Sequence, residues 1–222
     1  MKQIRRGCFE TNSSSMHSLI IKKNDDYPKI EELEDNIGIM RIGEGSWVNE
    51  NNANKIDLHI YSNDDIRYER TPFRVLNTFK SKLKYYIASE CNSKEDIDNV
   101  RDILMSIFDN IKNVDFDSNY NKDWGNGDYD QYGYAQNYGY FGKTLKDKNI
   151  SLKEFLTNNK YVVVVDGDEY QELEKLFDSK LINTREIQEI FTWPDGGWSH
   201  TVYDDVGNII EETNSWDIDE EN

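Results

Sequence analysis

The side chains most able to do chemistry crowd into one stretch, residues 4–21, IRRGCFETNSSSMHSLII. The hydroxyls of Thr11, Ser13, Ser14 and Ser15, the amide of Asn12 and the exposed backbone N–H groups beside them can cradle an anion. Arg5 or Arg6 would supply the charge. His17 is the candidate general acid or base, because an imidazole in water titrates near neutrality. Glu10 would orient that ring or accept from a ribose hydroxyl. A nucleotide or phosphate is the ligand such a loop suits. The same residue types also serve loops that only satisfy their own backbone. The stretch has no P-loop, no dinucleotide-binding glycine pattern and no G-x-S-x-G elbow. A Cys8–His17 nucleophile pair has no evident third member.

Arg5, Arg6, Gly7, Phe9, Glu10, Thr11, Asn12, Ser13, Ser14, Ser15, His17 and Ser18 together resemble the opening of a group of largely uncharacterised proteins of bacteriophages and Gram-positive bacteria. Those proteins begin R-R-G-x-F-E-T-N-S-S-S-x-H-S. The resemblance is confined to these positions. It implies a phage or mobile-element origin and brings no activity with it. The position of Cys8 is more often aliphatic in that group, which counts against a Cys8 nucleophile.

Residues 4–9 and 18–21 read as short strands, with the polar run at 11–16 as their connection. Residues 30–36 suggest a helical turn or two, and residues 37–42 and 56–61 further strands; His59 sits opposite the Ile56, Leu58 and Ile60 face. Thr71-Pro72 predicts the start of a helix whose stripe is Leu76, Phe79, Leu83 and Ile87, running to about Ser89. Ser93 and Asp96 predict a second, with Ile97, Val100, Leu104, Phe108 and Ile111 on one face. Both stripes read as core.

Residues 115–148 are rich in Tyr, Gly, Asn and Asp and predict a long irregular insertion. Tyr129, Tyr132, Tyr134 and Tyr138 there, with Trp193 and Trp198 farther on, are the candidate aromatic contacts for a partner protein. The Asp115, Asp117, Asn119, Asn121 spacing is similar to a calcium loop. It has Tyr120 where that loop needs glycine and Asn126 where it needs glutamate, so no metal site is assigned. Using His17, His59 and His200 together as metal ligands has no support in their spacing.

Ser151 and Glu154 form a capping box, and residues 161–165 are a continuous buried strand. Asp166-Gly167-Asp168 turns into a helix at 169–178. Residues 186–193 and 198–203 form a hairpin about Pro194-Asp195-Gly196-Gly197, followed by a strand at 209–212 and an acidic, frayed tail from 213. The fold expected is one α+β domain over residues 1–222. It has a mixed, mostly antiparallel sheet, three or four helices and the Tyr/Gly-rich insertion.

The formal charge is −17 and unevenly spread. Residues 1–23 hold five Lys or Arg against one Glu, whereas residues 186–222 hold eleven Asp or Glu and no Lys or Arg. Such a surface argues against direct polynucleotide binding, which needs positive stripes along the phosphates. It suits either simple solvation or docking on a basic protein. Two cysteines make neither a disulfide framework nor a C-x-x-C metal pattern. With no apolar leader and no long apolar run, the chain reads as cytoplasmic and not membrane-bound. No cofactor is assigned; a nucleotide or a divalent metal is the alternative that the opening loop allows. Nothing completes an active site, so whether the chain is an enzyme stays open. The expectation is an acidic interaction protein of phage type, an anti-defence inhibitor or decoy for a basic host or defence protein.

Overall fold

An unbroken run of β-branched and aliphatic residues needs apolar cover on both sides, and two such runs lie side by side at the centre of the fold. The computed structural model describes residues 16–30, 33, 41–42, 56–60, 73–91, 94–108, 111–116, 140–166, 176–177, 180–193 and 198–215. Strand β1, Met16–Lys22, is buried from His17 to Ile21. Strand β6, Tyr161–Asp166, is buried from Tyr161 to Val165 and pairs antiparallel with β1, Leu19 opposite Val163. Strand β7, Ile187–Trp193, takes the other side of β1. With β4 (Arg74–Leu76), β8 (Ser199–Tyr203) and β9 (Ile209–Asn214) they form a six-stranded sheet, ordered β4-β6-β1-β7-β8-β9 and antiparallel throughout. A smaller sheet has three parallel strands, β2 (Arg41–Ile42), β3 (Ile56–Ile60) and β5 (Ile111–Phe116), in the order β2-β3-β5.

Alternation along the central strands divides the core in two. Leu19, Ile21, Tyr161, Val163, Val165 and Trp193 point to one face, where the helices supply Phe79, Leu83, Tyr85, Leu104, Phe141 and Phe155. Ile20, Val162, Val164, Ile187 and Ile190 point to the other, where Leu176 and Ile182 cover them. Each fully buried side chain of this kind contributes about 1.5–3 kcal/mol relative to leaving it in water.

Four helices lie among the described residues: α1 (Phe79–Glu90), α2 (Lys94–Ile107), α3 (Tyr140–Asp147) and α4 (Leu152–Thr157). The architecture is therefore α+β with a mostly antiparallel sheet, as the sequence predicts. The expected stripes, Phe79, Leu83 and Ile87 on α1 and Ile97, Val100 and Leu104 on α2, are buried. Ser151 caps α4 by accepting from the Glu154 N–H.

Five local expectations are corrected. Helix α1 starts at Phe79 and not at Thr71-Pro72, because Thr78 and Ser81 form a reciprocal capping box there. Arg74–Leu76, expected inside that helix, is strand β4, held against Val163–Val165. Helix α2 stops at Ile107, so Ile111 belongs to β5, whose parallel pairing with β3 overrides the helical spacing of that residue. The insertion expected at 115–148 is not irregular throughout: β5 reaches Phe116, and Tyr140–Asp147 is helix α3, anchored by the fully buried Phe141. Strand β9 also runs beyond 212, with Thr213 opposite His200 and Asn214 opposite Ser199, so the chain is paired where fraying was expected.

Candidate functional site

His17 and Ser18 are the last two positions of the opening signature, and both sit inside the sheet. His17 stands opposite Val165 on one side and Trp193 on the other. Its ring is fully buried on the helix face, and Nδ1 shares a 2.8 Å hydrogen bond with the Tyr85 hydroxyl. Burial pushes the imidazole down to about 4, so it is neutral at neutral pH. Ser18 points the opposite way and shares a 2.9 Å hydrogen bond with the Thr192 hydroxyl, also buried. The side chain expected as a general acid or base is thus a neutral ring tied to the core through Tyr85.

Arg5, Arg6, Cys8, Glu10, Thr11, Asn12, Ser13, Ser14 and Ser15 lie outside the described residues, as do Tyr129, Tyr132, Tyr134 and Tyr138. The two tryptophans of the expected partner contact are placed. Trp193 is core, edge-on to Phe141 at 6.2 Å, and presents no aromatic edge to solvent. Trp198 is partly buried against the same cluster. No group of three His, Cys, Asp or Glu side chains among the described residues is arranged to hold a metal ion. No helix among them is long and apolar enough to cross a membrane.

Two ionisable residues that the sequence reading passed over lie on α1, Lys82 buried and Glu90 half-buried. Lys82 is 1 % exposed, and its Nζ donates to the carbonyls of Phe155 (2.6 Å) and Asn158 (2.9 Å) at the end of α4. Burial without a carboxylate in these contacts brings its pKa down to about 7. A neutral amine still has two N–H donors for those two carbonyls. The Glu90 carboxyl rests on the first turn of α3, where it accepts from the Gly142 N–H and leaves no room for a side chain at 142. Its Oε1 is buried with no hydrogen-bond partner among the described residues. Burial raises this carboxyl to about 7, with nearby Asp96 adding to the rise and Gly142 opposing it. The available signals were a lysine inside an apolar stripe and a glycine inside a helical pattern. Neither signal says what covers it.

On the hairpin, Glu189 of β7 meets a lysine and a histidine: Oε2 accepts from Lys148 Nζ at 2.6 Å and lies 3.1 Å from His200 Nε2. The His200 ring stacks on Phe191 at 4.2 Å, and Lys148 Nζ lies 4.8 Å from the Phe191 centroid. This arrangement ties the segment after α3 to the hairpin. Partly exposed pairs of this type are worth about 0–1 kcal/mol each.

The last strand is the most accessible described part of the sheet. Every residue from Ile209 to Thr213 is exposed, with Ile209 at 55 % and Ile210 at 64 %. Asp204 holds the turn before it, with its carboxylate accepting from the N–H groups of Val206 and Asn208. Those bonds keep that carboxyl below its usual range. Gly207 completes the turn at φ +90°, a conformation that favours glycine. The register slips by one residue between Val202 opposite Glu211 and Tyr203 opposite Ile209, so Ile210 is the extra residue of a β-bulge. Among the described residues no strand pairs with the outer side of β9. No protein-family model, no curated protein and no solved structure matches this chain.

Proposed function

We propose that this chain is an acidic interaction protein of phage type, an inhibitor or decoy that docks on a basic surface of a host or defence protein. One observation carries the reading: the end of the chain with the densest negative charge, residues 186–222, is also the end whose last strand is exposed from Ile209 to Thr213. Charge of one sign on an accessible face steers a partner of the other sign and rejects like-charged ones. The resemblance of the opening residues to phage proteins supports the proposed origin. The host cytoplasm is the compartment that goes with it.

The test immobilises the full chain and challenges it with host cytosolic proteins. A discrete basic protein should be retained in low salt and released in high salt. The soluble chain should compete for it, and an unrelated acidic protein of similar net charge should not. Equal competition by the unrelated protein would reduce the binding to ion exchange and sink the reading. A thermal-shift screen against nucleotides, phosphate and divalent metals tests the competing class, a ligand-binding loop at Arg5, Arg6, Thr11, Asn12 and Ser13 to Ser15. A ligand at a hundred times its dissociation constant adds about 2.7 kcal/mol of stability. A shift of that size abolished by Arg6→Ala and Ser14→Ala would replace the interaction reading with a nucleotide- or phosphate-binding one.

A further inference from the structure

We infer that the outer edge of β9 is the docking element and that it takes a basic, extended segment of a partner protein as an added strand. This rests on the interaction reading above and specifies where and how the partner is held.

The backbone geometry provides the template. Ser215 N–H donates to Trp198 O at 2.9 Å, while Trp198 N–H donates to the Ser215 hydroxyl at 3.0 Å, so that opposed pair is one whose backbone groups face each other between the strands. Hydrogen-bonded and non-bonded pairs alternate along an antiparallel ladder. His200 opposite Thr213 and Val202 opposite Glu211 then share the pattern of Trp198 and Ser215. Glu212, opposite Thr201, has the other parity, and its N–H and C=O point away from β8. Ile210 and Glu211 beside it are exposed as well, which leaves apolar and acidic side chains within reach of a newcomer.

Charge selects the occupant. A second copy of this chain paired antiparallel through the outward-facing Glu212 would set Glu212 of one opposite Glu212 of the other, and like charges directly opposed destabilise a sheet pair. The chain's own last residues bring Asp217, Asp219, Glu220 and Glu221, which are of the same sign as Glu211 and Glu212. A segment alternating basic and apolar residues is complementary to both the glutamates and the isoleucines. Edge glutamates and a bulge are also the means by which proteins keep edge strands from self-association. That protection excludes acidic and neutral strands while leaving a basic one admissible, so the two roles are compatible.

The experiment titrates the full chain with a short synthetic peptide alternating lysine and valine, followed by amide exchange at residue resolution. The control is the same sequence N-methylated at alternate residues, which keeps the charge and cannot pair. The expected result is protection of the Glu212 amide by the first peptide and not by the second. Affinity should fall about tenfold or more between low and high salt. Glu212→Pro removes the outward donor without touching a bond to β8 and should abolish binding, while Glu212→Gln should weaken it several-fold. Hairpin amide shifts in the Glu212→Pro protein confirm that β8 and β9 still pair. Binding of both peptides alike, or binding with no protection at Glu212, would overturn the edge inference. A basic host protein retained specifically by the Glu212→Pro chain would overturn it too, and would leave the broader interaction reading standing.

Discussion

His17 and Glu90 are displaced in opposite senses by the same cause, and that opposition sets how stability should respond to acid. Burial lowers the His17 imidazole from 6.5 to about 4, so between those values the unfolded chain binds the proton and the folded one does not. Stability from this group is complete above 6.5 and is lost as pH falls towards 4. Burial raises the Glu90 carboxyl from 4.5 to about 7, so in that window the folded chain holds the proton. Its contribution is complete below 4.5 and is lost as pH rises through 7. Each effect is worth about 3 kcal/mol at its limit, and over most of the shared window the two slopes cancel. Urea unfolding between pH 4.5 and 6.5 should therefore give a shallow profile for the natural chain. Glu90→Gln should uncover the His17 slope, with stability rising with pH, and His17→Gln should uncover the reverse. Two variants with parallel profiles would refute this pairing.

At the scale of elements, two ionisable side chains of α1 act as joints. Lys82 of α1 closes the end of α4 by donating to the Phe155 and Asn158 carbonyls. Its folded pKa of about 7 lies below the ordinary 10.5, so the folded chain sheds the proton first and gains stability as pH rises from 7 towards 10.5. Lys82→Met removes the titrating group, so the stability difference between natural chain and variant should widen by roughly 3–5 kcal/mol across that range. A constant difference would mean that the amine stays charged in the folded chain. Glu90 joins α1 to α3 over Gly142, where a β-carbon would collide with the carboxylate. Gly142→Ala should cost about 1–3 kcal/mol, and Glu90→Ala in the same chain should recover most of that cost. An additive double variant would show that the contact is not the source. These joints mark the limit of what the sequence makes legible. The uninterrupted valines of β6 and the caps at Ser151 and Thr78 are local patterns, although Thr71-Pro72 offers a rival to the second. Thr71 competes because Leu76 fits a helical stripe as well as it fits β4. Strand β5 was hidden for a similar reason, since Ile111 continues the spacing of Leu104 and Phe108. Nothing near Lys82, Glu90 or His17 in sequence says that α4, α3 or Tyr85 will cover them. The exposed edge at β9 was legible as a strand, but only the pairing of Ser215 with Trp198 fixes which of its amides face outward.

For the whole molecule, the charge of −17 makes opposite demands on folding and on binding. Self-repulsion among surplus carboxylates opposes the compact state, while the same field attracts a basic partner. Salt shortens the reach of both effects, from about 30 Å at 0.01 M to about 8 Å at 0.15 M ionic strength. Raising salt through that range should thus increase the unfolding free energy by about 1–2 kcal/mol while weakening capture of the basic protein. The competing term is local: Lys160 lies within 3.3 Å of Asp25 and 3.6 Å of Glu154, and screening such pairs lowers stability. Exposed pairs are worth about 0–1 kcal/mol each, too little to offset the long-range repulsion of so large a surplus. Sodium chloride titrations of urea unfolding and of partner capture, run on one preparation, should therefore move in opposite directions. If stability falls with salt, specific ion pairs outweigh the net charge, and acidity loses its standing as the feature around which the surface is built.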